Sequence, residues 1–351
     1  MSAHPLPARP LDAILGQDRL IESLRRALAD GVLAHAYLLL GPRGVGRGRL
    51  ATAFAQLLLC PRADAPCGVC PDCKQARKLT HPDLHLLAPA TKEEERDPER
   101  LARLIEEYAE DRYRLLGANP TAQIGIDQVR ALKEDLAKAR VSGPRRIGVL
   151  FEAGRLGEAA GQSALKLVEE PPPDTVLFLC AEETSSLLPT LVSRCQRLRV
   201  RPLPRAEVTR ILAEELEVAE SEARLLASLS GGSLGRAIEM REEGLLELRD
   251  RVLPLFQEAS QSRGAEAGLS RVASALDAAS GQRAVELLLL WHRDLLAARQ
   301  GLPEAGWVHA DRAAEIARTA PTLSLSEIRR RIELLEELSD SLSHRVNPEL
   351  S

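Results

Sequence analysis

The sequence predicts an α/β fold with a parallel sheet, followed by a wholly helical C-terminal part. Five short apolar runs, each suited to a buried strand, alternate with segments of helical periodicity between residues 36 and 200. Such alternation is typical of a parallel sheet covered by helices on both faces. After Pro202–Glu207 the strand signal ends, and helical periodicity with Gly, Pro and Ser breaks continues to Ser351.

The elements follow in chain order. The predicted strands are Ala36–Gly41, Asp83–Pro89, Ile147–Glu152, Thr175–Ala181 and Arg197–Val200. Ile126–Ala139 has a helical pattern, and Gly231–Met240 is typical of a turn that opens a helix. We therefore expect an α/β domain over 1–202, a helical lid over 203–243 and a separate helical domain over 244–351.

Composition excludes several classes of protein. Hydrophobic residues make up 44% of the 351 residues and charged residues 28%, which is typical of a water-soluble protein with two or three domains. There is no apolar run long enough for a membrane span and no apolar signal segment near the N-terminus, so we expect a cytoplasmic protein. A net charge of −4 and 3% aromatic residues argue against independent DNA binding, so contacts with DNA are expected through partner proteins.

The first strand leads into a glycine-rich loop. Gly41, Gly44 and Gly46 fit the phosphate-binding pattern G-x-x-x-x-G-K-[ST], in which backbone N–H groups surround a phosphate. The lysine position holds Arg47, and the Ser/Thr position holds Gly48, which has no hydroxyl for Mg²⁺. The pattern predicts a nucleotide-binding fold without hydrolysis; a chance glycine-rich turn is the alternative.

A second residue that an ATPase needs is missing at the end of the third predicted strand. An ATPase needs an Asp there to organise Mg²⁺, often followed by a Glu. If Glu152 is that Glu, Phe151 stands at the Asp position, and phenylalanine binds no metal. We therefore expect neither hydrolysis nor ATP binding by this chain, although residual phosphate binding by Arg47 and the loop amides stays open.

Four cysteines crowd together in the spacing C-x6-C-x2-C-x2-C. Tight turns at C-x2-C aim two sulfurs at one point, and four thiolates complete a closed, structural Zn²⁺ site. Disulfides are the competing interpretation, but nothing in the sequence indicates an oxidising compartment. Cys180 and Cys195 are expected to be core residues. The predicted ligands are Cys60, Cys67, Cys70 and Cys73.

Six segments in a fixed order carry a family resemblance. They are HAYLLLGPRGVGRGRLATAFAQLLLC, PCGVCPDC, HPDLHLLAP, IGIDQVRALKEDL, GQSALKLVEEPPPDTVLFLCAEETSSLLPTLVSRCQRLRVRPL and GGSLGRAI. Together they cover most of residues 10–240 and resemble the bacterial DNA polymerase III clamp-loader family of AAA+ proteins. Within that family, the altered phosphate loop is similar to the delta-prime type and not to the gamma/tau motor type.

The resemblance implies an architecture and partners. The α/β domain would be a RecA-like AAA+ domain with a zinc module at 60–73, followed by the helical lid and a C-terminal collar that joins subunits. The chain would belong to a hetero-pentamer with gamma/tau motor and delta subunits. That complex opens a sliding clamp and loads it on primed DNA for the DNA-directed DNA polymerase, with no membrane involved. No catalytic activity of its own is expected for the chain.

The resemblance also gives roles to single residues. Arg194 of the SRC triplet would be an arginine finger that acts in trans, in the ATP site of a neighbouring subunit. The alternative is that Arg194 only pairs with a local carboxylate. Ser193 is expected to orient the loop and Cys195 to pack beneath it. Because the chain's own site is altered, Arg236 is expected to hold the lid against the first domain.

The stretch Thr91–Gly117 is longer than the family usually has at this point. Its charges recur at helical spacing, which indicates a solvated helix. A tolerated surface insertion is the preferred interpretation, and a partner site is the alternative. The charged positions are Glu95, Glu99, Arg103, Glu106 and Glu110.

Three functions are therefore weighed. The first is a clamp-loader subunit of the delta-prime type that does not hydrolyse ATP. The second is an active gamma-type motor, against which Arg47, Gly48 and Phe151 argue. The third is a zinc-stabilised scaffold outside replication, since fold alone does not fix function.

Overall fold

The structure is a computed structural model of the whole chain, and it describes residues 5–95, 97–111, 113–116, 121–276 and 278–346. The chain divides into two compact units. The first comprises Met1–Leu203 with Ser233–Arg236, and the second Pro204–Gly232 with Ala237–Ser351. Residues expected to form the lid thus contribute to both units. Across the described residues, none of the helices combines the length and apolar character that a membrane span requires.

The first unit contains a five-stranded sheet in the order β2-β3-β4-β1-β5, and all strand pairs are parallel. The prediction of a parallel α/β sheet is confirmed, with strand bounds that differ from the predicted ones by at most two residues. The strands are β1 Ala36–Leu40, β2 Leu84–Leu87, β3 Arg146–Leu150, β4 Thr175–Ala181 and β5 Gln196–Arg199.

The register brings the ends of two strands to one edge. Leu40 of β1 pairs with Ala181 of β4, and Leu150 of β3 pairs with Leu179 of β4. Because the strands are parallel, the loop after β1 and the residues after β3 emerge at the same side of the sheet. The carboxyl edge of an open α/β sheet is where ligands bind in such folds.

Helices cover both faces of this sheet. One buried cluster contains Leu50 and Phe54 of α2, and the cluster on the other face contains Leu132 of α6 and Leu167 of α7. The predicted helix over Ile126–Ala139 is confirmed as α6. The helices are α1 Asp18–Ala29, α2 Arg47–Leu59, α3 Pro71–Arg77, α4 Lys92–Glu95, α5 Pro98–Glu110, α6 Ile126–Ala137, α7 Glu158–Glu169 and α8 Pro189–Ser193, with 3-10 turns at Pro10–Ala13, Ala153–Arg155 and Thr184–Ser186.

The second unit is helical, and its described residues contain no strand. The predicted helix opening at Gly231–Met240 is confirmed, since α11 starts at Leu234. Within the unit, α12 packs against α13 and α14 against α16. The helices are α9 Arg205–Glu214, α10 Glu220–Leu229, α11 Leu234–Glu242, α12 Leu245–Arg263, α13 Ala265–Ala275, α14 Ala278–Arg299, α15 Ala313–Thr319 and α16 Leu325–Val346, with 3-10 turns at Glu304–Gly306, Ala310–Arg312 and Ala320–Thr322.

Candidate functional site

The glycine-rich loop connects β1 to α2 and takes the backbone conformation that its glycines allow. Gly44 has φ +74° and Gly46 has φ +98°, in the left-handed region that side chains disfavour. A Cβ on Gly44 would lie 2.5 Å from the backbone nitrogen of Arg236. Glycine is therefore required at position 44 both for its conformation and for close approach of another backbone.

Residues Ser233–Arg236 lie directly on this loop. The backbone N–H of Gly235 donates to the carbonyl of Gly44 (3.0 Å), and the Ser233 hydroxyl donates to the carbonyl of Arg43 (2.6 Å). The segment belongs to the first unit together with the loop. These contacts come from Ser233 and Gly235, and the role expected for Arg236 stays a prediction.

Arg47, at the lysine position of the loop, is buried and fully engaged with the protein. One guanidinium nitrogen donates to the carbonyl of Gly41 (2.6 Å), and another to a carboxylate oxygen of Glu152 (2.6 Å). Glu152 follows β3 in a left-handed conformation, with φ +46°. The positive charge that a phosphate would need is therefore neutralised by a carboxylate in the same site.

Gly48, at the Ser/Thr position, faces two aromatic rings. A Cβ on Gly48 would lie 2.6 Å from a ring carbon of Phe151 and 2.9 Å from the hydroxyl oxygen of Tyr108. These rings meet edge to face, with centroids 5.4 Å apart. Both side chains are buried, and burial raises the pKa of Tyr108 to about 12. Aromatic side chains fill the space beside the position whose hydroxyl would bind Mg²⁺.

Tyr108 comes from α5, inside the segment predicted to be a surface insertion. The guanidinium carbon of Arg49 lies 3.4 Å from the centroid of the Tyr108 ring, a cation–π contact. Arg49 also donates to the carbonyls of Asp111 and Arg114. The helix that begins with the phosphate loop thus holds both α5 and the turn after it.

The prediction of a solvated helix describes one face of α5 only. Glu99, Arg103, Glu106 and Glu110 are exposed, as expected. The opposite face was missed, although its apolar residues recur at i, i+3, i+4 and i+7, which is the signal of a packed face. Residues 96, 112 and 117 of the predicted insertion lie outside the described residues. The apolar face consists of Leu101, Leu104, Ile105 and Tyr108.

The four clustered cysteines converge at one buried point. Their sulfurs all lie within 4.8 Å of one another, and the sulfurs of Cys67 and Cys73 are 3.9 Å apart. Four sulfurs at about 2.3 Å from a tetrahedral metal would be separated by about 3.8 Å. None of these cysteines forms a disulfide, against the competing interpretation. The buried residues of the cluster are Cys60, Cys67, Cys70 and Cys73.

Backbone geometry favours thiolates in this cluster. The N–H of Cys70 donates to the sulfur of Cys67 (3.4 Å), and the N–H of Cys73 donates to the sulfur of Cys70 (3.3 Å). Hydrogen bonds from the N–H groups of Val69 and Cys70 lower the pKa of Cys67 to about 6, whereas burial raises the pKa of Cys70 and of Cys73 when no metal is bound. A set of four convergent sulfurs with N–H support fits a soft divalent metal ion and leaves no position for a further ligand.

Two buried side chains connect the cysteine cluster to the sheet domain. The Gln56 amide on α2 donates to the carbonyls of Cys73 (2.9 Å) and Ala8 (3.0 Å). A nitrogen of the His81 ring lies 3.2 Å from a carboxylate oxygen of Asp72 on α3. The sequence analysis did not identify Gln56 or His81, because neither residue belongs to a short-range pattern.

The SRC triplet closes α8 and leads into the edge strand β5. A guanidinium nitrogen of Arg194 lies 2.8 Å from a carboxylate oxygen of Glu169, and another donates to the carbonyl of Thr190 (3.1 Å). The local carboxylate of the alternative interpretation is therefore present, yet the Arg194 side chain remains 43% exposed. Ser193 donates to the same Thr190 carbonyl (2.9 Å), which fixes the turn.

The two cysteines outside the cluster are buried, which confirms their prediction as core residues. Cys195 lies beneath the SRC turn with 8% exposure, and Cys180 lies within β4 with 1% exposure. Burial raises the pKa of Cys195 to about 11 and that of Cys180 to about 12. Both side chains are neutral thiols at physiological pH, so neither is suited to act as a nucleophile.

Two family models match most of the chain. The model described as DNA polymerase III, delta subunit, matches residues 16–204. The model described as DNA polymerase III, delta subunit, C terminal, matches residues 244–351. The first match alone covers more than half of the chain.

Individual relatives agree with the family models. The chain is 30% identical to DNA polymerase III subunit delta' of Bacillus subtilis over 71% of this chain and 66% of that protein. It is 37% identical to the delta' subunit of Pseudomonas aeruginosa over 63% of this chain and 60% of that protein. The chain is 24% identical to the tau subunit of B. subtilis over 66% of this chain and 37% of that protein. The chain thus spans less than two thirds of the length of the delta' relatives it matches.

Proposed function

Because the chain belongs to the family of DNA polymerase III delta subunits and is similar to delta' subunits, we propose that it is a clamp-loader subunit without ATPase activity of its own. In this role it contributes Arg194 to the ATP site of a neighbouring subunit. The observation that supports the proposal is the pairing of Arg47 with Glu152, which occupies the guanidinium that a phosphate would need.

The proposal includes the assembly that the resemblance implies. The chain acts in the cytoplasm within a hetero-pentamer of gamma/tau motor and delta subunits, which loads the sliding clamp on primed DNA. Similarity to delta' and tau subunits supports this membership. Contact with the clamp and DNA comes mainly through the complex, because this chain carries a net charge of −4.

Loss of hydrolysis follows from three substitutions. The guanidinium of Arg47 is neutralised by Glu152, so it does not offer a free charge to a γ-phosphate. Gly48 supplies no hydroxyl and Phe151 no carboxylate, so both protein anchors for Mg²⁺ are missing. Without metal and without a free cation, charge that develops in phosphoryl transfer has no stabilising partner.

Arg194 remains available to a neighbour. Its partner Glu169 is 36% exposed, and exposed ion pairs of this kind contribute about 0–1 kcal/mol. Exchange of this pair for a neighbour's γ-phosphate therefore costs little. A guanidinium delivered in trans neutralises charge in the transition state of a site that the other subunit otherwise completes.

We also propose that the cysteine cluster holds Zn²⁺ in a structural role. Four thiolates are the donor set that zinc prefers in closed sites. The metal would fix the loop between α2 and α3, which Gln56 and His81 attach to the sheet domain.

The test of the main proposal is a clamp loader reconstituted with Arg194→Ala. We expect normal incorporation, a partial loss of clamp- and DNA-stimulated ATPase, since only one of several sites is affected, and a strong loss of clamp loading. Arg194→Lys should rescue poorly, because an ammonium lacks the planar fork of a guanidinium. Arg197→Ala, an exposed arginine on β5, is the matched control. Unchanged rates in both assays with incorporated Arg194→Ala would leave the chain a passive scaffold.

An active gamma-type motor is the second candidate function, supported by the 24% identity to the tau subunit. It requires ATP turnover by the isolated chain. Turnover that stays with the protein through purification and disappears on substitution of Gly46 would establish this candidate and refute the first.

A further inference from the structure

We propose that α5 and its Tyr108 fill the chain's own nucleotide site as an intramolecular plug, so that docking of α5 and binding of a nucleotide exclude each other. The inference concerns ligand binding by this chain alone and does not depend on a role in clamp loading. It goes beyond a loss of hydrolysis, since a site without Mg²⁺ anchors can still bind a nucleotide.

The argument starts from the volume beside Gly48. In a working phosphate loop a serine or threonine at this position directs its hydroxyl to Mg²⁺. Here the Tyr108 hydroxyl lies 2.9 Å and the Phe151 ring 2.6 Å from the point that a Cβ on Gly48 would occupy. The metal and the phosphate oxygens that it binds would have to share this volume with two buried rings.

The helix α2, whose N-terminus would bind the phosphate, also holds α5 in place. Arg49, the second residue after Arg47, stacks on the Tyr108 ring at 3.4 Å and donates to the carbonyls of Asp111 and Arg114. The apolar face of α5 joins the buried cluster on this side of the sheet through Ile105 and Tyr108. A nucleotide therefore has to displace a packed, charge-assisted contact before it reaches the loop.

The Arg47–Glu152 pair is a separate barrier, because it withdraws the cation that a phosphate needs. The two barriers are separable by mutation. Glu152→Gln removes the competing negative charge and leaves Tyr108 in its position. Substitution of Tyr108 in that background then reports on the plug alone.

The experiment measures equilibrium binding of a fluorescent ADP analogue to the full-length chain, with and without Mg²⁺. Four proteins are compared: Glu152→Gln alone and Glu152→Gln combined with Tyr108→Phe, Tyr108→Ala or Tyr113→Ala. Tyr113 follows α5 and is not among the nearest neighbours of a Cβ on Gly48, so it is the matched control. We expect Tyr108→Ala to bind about tenfold or more tightly than the other three, the factor expected for loss of one desolvated cation–π contact. Binding should not require Mg²⁺.

Equal affinities in all four proteins, each shown to be folded by circular dichroism, would overturn the proposal. If Tyr108→Ala does not fold, hydrogen exchange of the Glu152→Gln chain is compared with and without saturating ADP. Exclusion predicts protection of loop residues 43–48 together with faster exchange over 98–110. Protection of the loop with undisturbed exchange over 98–110 would show that α5 is no plug.

Discussion

The packing around Gly48 predicts that alanine at this position destabilises the protein, although alanine normally stabilises a helix. Gly48 is the second residue of α2, and a helical Gly→Ala change at an open site gains up to about 1 kcal/mol. The new methyl group would lie 2.6 and 2.8 Å from two ring carbons of Phe151 and 2.9 Å from the Tyr108 hydroxyl. Carbon atoms prefer separations of about 3.5–4.0 Å, so the rings would have to move.

The magnitude follows from the two opposing terms. Overpacking of a buried site costs about 1–3 kcal/mol, and Phe151 cannot move away freely because the Tyr108 ring packs against it in a T-shaped contact. After subtraction of a helical gain of up to about 1 kcal/mol, Gly48→Ala should lower the free energy of unfolding by up to about 2 kcal/mol. Phe151→Leu makes room for the new methyl group. The double variant should therefore lose about 1 kcal/mol less free energy of unfolding than the two single variants lose together.

The assay uses the distribution of tryptophan. Trp291 and Trp307 both lie in the second unit, so tryptophan fluorescence reports on that unit and far-UV circular dichroism on both. In urea titrations Gly48→Ala should shift the circular dichroism transition and not the fluorescence transition. The matched control is Gly161→Ala in α7, where the new methyl would meet only the flexible end of Leu188 at 3.2 Å. A Gly48→Ala chain as stable as the wild type, with no coupling to Phe151→Leu, would refute the packing argument.

The remaining predictions concern the metal, the phosphate loop and a buried histidine. Protein purified without added metal should contain about one zinc per chain by elemental analysis, and Cys70→Ser should lose it with local unfolding of residues 60–73, because metal binding and folding are coupled; a metal-free chain that refolds equally well in chelator would contradict this. Arg47→Lys alone should leave the isolated chain without ATP turnover, since Gly48 and Phe151 still provide no Mg²⁺ anchor; appearance of turnover would mean that the anchors lie elsewhere. Burial, with a smaller contribution from Arg331, lowers the pKa of His292 from 6.5 to about 4. Between about pH 6.5 and pH 4 the unfolded chain therefore binds a proton at His292 that the folded chain does not. The free energy of unfolding of the second unit should be highest above about pH 6.5 and fall by about 3 kcal/mol towards pH 4. Urea titrations followed by tryptophan fluorescence should lose this dependence in His292→Leu.

Local patterns in the sequence were sufficient to predict most of the sheet and the convergence of the four cysteines. Four of the five strands are short, largely apolar runs, and a buried parallel strand is recognised from such a run alone. The edge strand β5, with the sequence QRLR, is mostly exposed. The cysteine spacing likewise predicts convergence, since C-x2-C turns bring sulfurs together without help from the rest of the fold. In both cases the determining interactions lie within a few residues along the chain.

The contacts around the glycine-rich loop could be predicted only in part, because they join distant segments. Arg47 and Glu152 are 105 residues apart, and no periodicity connects them. For α5, the exposed charges were recognised and the apolar stripe on the other face was not. That stripe predicts a packed face, but the sequence does not tell which surface it meets; Tyr108 could have packed on any exposed apolar site.

The departures from a working phosphate loop are coupled to compensating residues in other elements. Arginine at position 47 pairs with Glu152, and glycine at position 48 makes room for Phe151 and Tyr108. Reverting one position to the residue of a working phosphate loop therefore disrupts a buried contact. A serine at position 48 would meet both rings, and an aspartate at position 151 would lie beside the buried Tyr108. The contacts of Arg194 differ from these buried ones. Arg194 forms an ion pair with Glu169 that is partly exposed, so water can take the place of the carboxylate. The chain thus fills the space beside its glycine-rich loop with buried side chains and leaves Arg194 partly exposed, which is the combination that the proposed role of Arg194 in trans requires.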